Sequence, residues 1–196
     1  MKNDFYVLGI GTSSGALQSL SEFFNELDEN VPFAIVLVTH LQEDYRDKLD
    51  EILHDKTKMH IEKLTTDMPL KKGTLYVLPE NRYVKVENGI LRVTPAIPGN
   101  DAQAIDIFLK SLASDFKERA IGMILSGTGK DGVQGIREIN EKGGEVLVQE
   151  PYSALYQSLP RLAIKVDHPD KILPSVRLAG WLNKKYSGAT PRGKAV

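Results

Sequence analysis

The sequence has no cysteine. Disulfides, thiolate zinc sites, iron–sulfur clusters and a cysteine nucleophile are therefore excluded. It also lacks an excess of either charge, with 25 Lys and Arg against 26 Asp and Glu and a net charge of -1. That balance offers no broad attraction to nucleic acid or to an anionic membrane. Long apolar runs are absent too. The longest near-apolar stretch, residues 32–38, falls far short of the roughly 18 residues a membrane span needs. Met1-Lys2-Asn3-Asp4 has no signal-peptide layout, so the expected location is cytoplasmic, with no membrane insertion. No pair among the 4 histidines has metal-ligand spacing, and no metal is expected.

What is present is a chain of 196 residues, 41% apolar and 26% charged, enough for one soluble domain with its own core. Short apolar runs alternate with segments of helical period. Residues 5–10 and 33–39 read as buried strands, followed by helices over 15–29 and 44–54. Residues 74–78, 82–87 and 90–94 read as short strands of an antiparallel extension, with Asn88-Gly89 as a type I′ hairpin turn. Alternation then resumes with a helix over 104–116, a strand over 120–125, a helix over 133–141 and a strand over 145–149. A last helix begins near Pro174. This pattern predicts an α/β fold, a doubly wound and mainly parallel sheet with helices on both faces. Residues 1–183 form the domain, and the polar stretch 184–196 reads as a tail or linker.

Ligands of such sheets bind beyond the carboxyl ends of the strands, so the loops leaving the strands carry the candidate chemistry. Gly11-Thr12-Ser13-Ser14-Gly15 has the G-x-S-x-G spacing of a turn that lifts a serine hydroxyl above a sheet. A phosphate cradle and a plain helix N-cap remain open for the same loop. His40 follows the second strand, either as a catalytic base or as a structural hydrogen-bonding group. Asp131 lies in Ser126-Gly127-Thr128-Gly129-Lys130-Asp131-Gly132, which fails the P-loop pattern. Its plain reading is a carboxylate at the start of a helix. Together the three could form a triad, because a neutral serine needs an imidazole to take its proton and a carboxylate to orient that imidazole. The order Ser-His-Asp differs from that of α/β-hydrolases.

At these loops the sequence resembles the catalytic domain of CheB-type protein-glutamate methylesterases, the receptor-demethylating enzymes of bacterial chemotaxis. The matching stretches are Ile10 to Gly15, Thr39-His40-Leu41, Leu125 to Gly132 and Ser158 to Ile164, in the family's order. The resemblance implies Ser13 as nucleophile, His40 as general base and then acid, and Asp131 as the group orienting His40. It implies an oxyanion hole from the backbone N–H groups of Ser14 and Thr128. It further implies hydrolysis of glutamate γ-methyl esters on methylated chemoreceptors, deamidation of receptor glutamines at the same site, and no cofactor. Arg161 and Tyr156 are candidate substrate contacts because the stretch Tyr156 to Ile164 matches a family block; a surface charge and a core tyrosine are the other readings. The family often has threonine at position 14 and methionine at 128, and the backbone donors survive both changes. Ala102-Gln103-Ala104 and Asn81-Arg82-Tyr83 also depart from its usual pattern, on the substrate side. The string Ile121 to Gly129 resembles the branch fused to a CheR-type methyltransferase, which would make that enzyme a partner in the same full-length chain. A catalytically silent docking domain and a nucleotide- or phosphate-binding module are the alternative functions.

Overall fold

The computed structural model describes residues 5–39, 48–79, 82–96 and 103–187. The chain opens with β1 (Tyr6–Thr12), α1 (Ala16–Glu26), β2 (Phe33–Thr39) and α2 (Leu49–His54). Five short strands follow, β3 (His60–Lys63), β4 (Met68–Pro69), β5 (Thr74–Val77), β6 (Arg82–Glu87) and β7 (Ile90–Pro95). The second half runs through α3 (Ala104–Phe116), β8 (Ala120–Ile124), α4 (Val133–Glu141), β9 (Glu145–Gln149), α5 (Ser158–Val166), β10 (Lys171–Leu173) and α6 (Ser175–Tyr186).

Seven strands form one sheet in the order β10-β9-β8-β1-β2-β5-β3, and every pairing in it is parallel. Successive side chains of a strand face opposite ways, so a sheet covered on both sides needs continuous apolar runs. β2 shows this directly. Phe33, Ile35 and Leu37 join one core with α1, α2 and α6, while Ala34, Val36 and Val38 join the other with α3, α4 and α5. The first half of the chain builds outward from β1 on one side. The second half returns to β8, beside β1, and builds outward on the other. That reversal opens a crevice at the carboxyl ends of β1 and β8.

The doubly wound fold is as expected, but the antiparallel part is arranged differently. β5 lies inside the parallel sheet, with Ile35 opposite Leu75. Its four residues are all buried, as a covered strand requires. The antiparallel strands β4-β7-β6 form a separate sheet. This second sheet packs on α3: Val86 N–H donates to Ser111 Oγ at 3.0 Å, and Asn88 and Gly89 N–H donate to the Asp115 carboxylate. Asn88 and Gly89 take φ of 53° and 73°, the left-handed values of a type I′ turn. α5 was not legible because Pro160 interrupts its apolar spacing; the proline sits in the first turn, where its missing N–H costs nothing. Residues 44–47 of the expected second helix lie outside the described residues, as do 188–196 of the expected tail. Residues 184–186 continue α6, because the Tyr186 ring is buried against Tyr6 and Phe33.

Candidate active site at the β1–β8 crevice

Ser13 is the first residue after β1 and is 7% exposed. Its N–H donates to Ser126 C=O at 3.1 Å, and its C=O accepts from Ala16 N–H at 3.1 Å. The N-cap of α1 is Gly15, at φ 74°, which has no side chain to cap that helix. The N-cap position itself thus falls to a glycine and not to Ser13. The turn is tight because two glycines permit it. Gly15 occupies the left-handed region, where other L-residues are strained. A Cβ on Gly127 would stand 3.1 Å from Ser13 Cβ and 2.8 Å from Leu159 Cδ2. The chain after β8 thus lies flush against the serine.

Asp131, 8% exposed, sits beyond β8 at the entrance to α4. Its carboxylate accepts Ile105 N–H through Oδ2 and Asp106 N–H through Oδ1, both at 2.9 Å. α3 has no side-chain cap of its own, so Asp131 supplies the acceptors its first turn needs. Asp106 returns the arrangement by accepting Gly135 N–H of α4 at 2.7 Å. Burial pushes the Asp106 carboxyl above its ordinary range, with the nearby Asp131 charge adding to the effect and the Gly135 bond opposing it. The two carboxylates lock the starts of α3 and α4 together.

The two loops meet at their tips, where Ser14 Oγ and Thr128 Oγ1 are 3.3 Å apart. The N–H groups of Ser13 and Gly127 are spent on Ser126 C=O and Tyr156 C=O. Among the described residues no acceptor lies on the N–H of Ser14 or Thr128. A phosphate cradle would need the engaged donors as well, and would have to tolerate the Asp131 carboxylate nearby. An anionic oxygen at one acyl centre needs only two.

Beside the serine runs the segment after β9. Tyr152 is 80% exposed, Leu155 64% and Tyr156 45%, which is unusual for large apolar side chains so close together. The segment is nonetheless rigidly tied: Tyr156 N–H donates to Ser126 Oγ at 3.0 Å and Gln149 Nε2 to Ser153 C=O at 3.2 Å. The Arg161 guanidinium lies 5.0 Å from the Tyr152 ring centre and donates to Gln157 Oε1 at 2.9 Å. A Cβ on Gly15 would touch Tyr156 Cδ2 at 2.9 Å and Leu155 Cβ at 3.0 Å, so this ridge adjoins the Ser13 turn. The core reading of Tyr156 is thereby replaced by an exposed one.

The loops after β1 and β8 bring Ser13, Ser14 and Thr128 together at the switch point, with Asp131 farther along the second loop, Tyr156 beside Gly15, and Arg161 over the Tyr152 ring. His40 lies outside the described residues, as do Asn81 and Ala102. Thr39, the residue before His40, ends β2 in register with Thr12, the residue before Ser13. His54, His60 and His168 are exposed, as their sequence settings predict. Ser126 and Gln149, both fully buried, were missed by sequence reasoning, although a polar residue closing an apolar strand run is the signal that could have found them. Among the described residues no cluster of His, Asp or Glu could hold a metal, and no helix is long and apolar enough to cross a membrane.

The profile of the CheB methylesterase family matches residues 8–182. The chain belongs to that family. Relatives include a protein-glutamate methylesterase/protein-glutamine glutaminase of Carboxydothermus hydrogenoformans, 26% identical over 185 residues, covering 91% of this chain and 54% of that protein. One from Trichodesmium erythraeum is 28% identical over 180 residues, covering 88% and 51%. The protein-glutamate methylesterase FrzG of Myxococcus xanthus is 27% identical over 179 residues, covering 90% and 53%. The chain spans about half the length of these relatives. The crystal structure of the Thermotoga maritima CheB methylesterase catalytic domain superposes with a TM-score of 0.83 at 24% identity, covering 92% of this chain and 98% of that one. That likeness establishes the CheB catalytic-domain fold.

Proposed function

We propose that this domain hydrolyses glutamate γ-methyl esters on the cytoplasmic part of methylated chemoreceptors, and deamidates glutamine at the same site. The observation that supports the reading is the burial of Ser13 and Asp131 in the loops at the switch point, beside two backbone N–H groups that have no acceptor among the described residues. Ser13 Oγ attacks the ester carbonyl carbon while His40 takes the hydroxyl proton. Asp131 orients His40 and stabilises its charged form. The N–H groups of Ser14 and Thr128 hold the developing oxyanion. The C–O bond to the methoxy group breaks, and His40 returns its proton so that methanol leaves. Water, deprotonated by His40, attacks the acyl-enzyme; that proton passes to Ser13 Oγ as the acyl C–O bond breaks, and the glutamic acid released loses its remaining proton to solvent as the carboxylate. Deamidation follows the same course with ammonia as leaving group. The scheme uses no metal and no cofactor.

A glutamyl side chain is short, so the backbone that carries it must come close to Ser13. The exposed ridge of Tyr152, Leu155 and Tyr156 supports this, since an apolar surface beside the nucleophile suits a helical protein substrate. Tyr156 and Arg161 are the contacts we assign to it. The substrate places the reaction in the cytoplasm. The full-length partner in this reading is a CheR-type methyltransferase domain joined to this one, which would pair the enzyme that adds the methyl group with the one that removes it.

The test is methanol release from receptor membranes carrying labelled methyl esters. Release by the wild type that disappears in Ser13→Ala supports the esterase and its nucleophile together. No release from the folded wild type points instead to a catalytically silent docking domain.

A further inference from the structure

Ser126 is fully buried where three segments of the crevice meet. Its hydroxyl donates to Ser14 C=O at 2.9 Å and accepts from Tyr156 N–H at 3.0 Å. Its C=O accepts from Ser13 N–H at 3.1 Å and from Thr12 Oγ1 at 2.7 Å. Its own N–H is held by Gln149 Oε1 at 2.8 Å, and the same amide reaches Ser153 through Nε2. One residue therefore ties the nucleophile turn, the loop after β8 and the exposed ridge to one another. Such a density of bonds is not needed to close a parallel strand, and the hydroxyl contributes nothing to the β8 ladder.

We propose that Ser126 is a positioning residue, its hydroxyl fixing the Ser14 peptide against the ridge so that the oxyanion donors stay aligned with Ser13. This rests on the reading of Ser13 as nucleophile. Among the described residues no other side chain bonds Ser14 C=O. The ridge has further anchors, because Gly127 N–H donates to Tyr156 C=O at 3.0 Å and Gln149 holds Ser153. Loss of the hydroxyl would thus disturb the acyl-transfer geometry more than the surface that meets the substrate. Sub-ångström displacements at such sites are felt in turnover, where the reacting atoms must be aligned.

The test compares wild type, Ser126→Ala and Ser126→Thr on methyl-labelled receptor membranes. A fluorophosphonate probe, which labels an active serine without needing the receptor, supplies a second reading. All assays run below the measured unfolding midpoint of each variant. Ser126→Ala is expected to lower kcat and the labelling rate together by about 10- to 100-fold, the usual scale for orphaning buried hydrogen-bonding groups. KM for the receptor should move less than about twofold, and Ser126→Thr, which keeps the hydroxyl, should recover most of the rate. A folded Ser126→Ala with wild-type kcat, a loss confined to KM, or a Ser126→Thr as slow as the alanine variant would each overturn the proposal. If the wild type neither hydrolyses ester nor takes the probe, the nucleophile reading itself falls and this inference with it. An active wild type with an unaffected Ser126→Ala removes only the positioning role.

Discussion

At the amino end of the parallel strands, an open groove of about 530 Å³ runs between the end of α1 and the segment after α2, lined by Glu26, Asp28, Glu29, Asp55, Lys56 and Lys58 among others. At the carboxyl end, the β1–β8 crevice contains Ser13, Ser126, Asp131 and Gln149, all buried polar side chains. The groove is roomy and open to solvent, and the charges of both signs that line it are largely exposed. The crevice is tight, and its polar groups are buried at a cost that only specific hydrogen bonds offset. In the proposed reaction volume need not mark the site, because a carbonyl presented on a protein surface needs aligned donors and a nucleophile rather than an enclosing cavity. What marks it is the concentration of buried, mutually bonded polar groups at the switch point.

The contrast breaks first at the nucleophile. Ser13→Ala should lower turnover by about 10⁴- to 10⁶-fold. Asp131→Asn should cost about 10⁴-fold and also loosen the start of α3, since an amide NH₂ cannot accept one of the two N–H bonds now made. Wild-type methanol release by both variants would remove the crevice from the chemistry. A subtler intrusion is Gly127→Ala, whose methyl would press on Ser13 and Leu159. Turnover should fall about 100-fold with the fold retained, as judged by circular dichroism; undiminished turnover would show that the flush packing is not required.

Asp106 sharpens the comparison through stability. Its carboxyl is raised by burial, so the folded state binds that proton more tightly than the unfolded chain does. Stability from this group is therefore greatest at low pH and falls as pH rises from the ordinary carboxylate range through the raised value. Asp106→Asn keeps an acceptor for Gly135 N–H and removes the buried charge. The difference in unfolding midpoint, variant minus wild type, should grow in the variant's favour across that window; a difference independent of pH would contradict the assignment. Asp106→Ala, which leaves the start of α4 without this acceptor, should cost about 1 kcal/mol in denaturant unfolding. Least of all should come from the amino-end groove. Lys56→Glu with Lys58→Glu should leave turnover within about twofold, as surface changes away from a site do. A larger loss would make the groove part of the function.

The alternation of apolar runs and helical periods was enough to read the doubly wound sheet, because a strand covered on both faces admits few polar residues. The boundaries of α3 and α4 followed from the same pattern. β3 and β10 were invisible, being short edge strands with one side open to water, where composition is loosely constrained. The loop motifs made Ser13 and Asp131 legible as candidates, since only glycine-flanked turns bring a polar side chain so close to a strand end. They could not decide between a cap, a phosphate cradle and a nucleophile.

Which groups surround these side chains belongs to the tertiary structure. Residues 13, 126, 131 and 156 are far apart in the chain, and what each hydroxyl, N–H or carboxylate does depends on which group lies opposite it. Periodicity along a chain reports which side of an element is buried, whereas the partner of a buried polar atom is set by how separate elements are brought together. The sequence by itself determined the layers of this protein and the loops where chemistry could sit. Only the tertiary packing decided that the N-cap of α1 is Gly15, that Asp131 serves α3, and that Ser126 joins the Ser13 turn to the ridge.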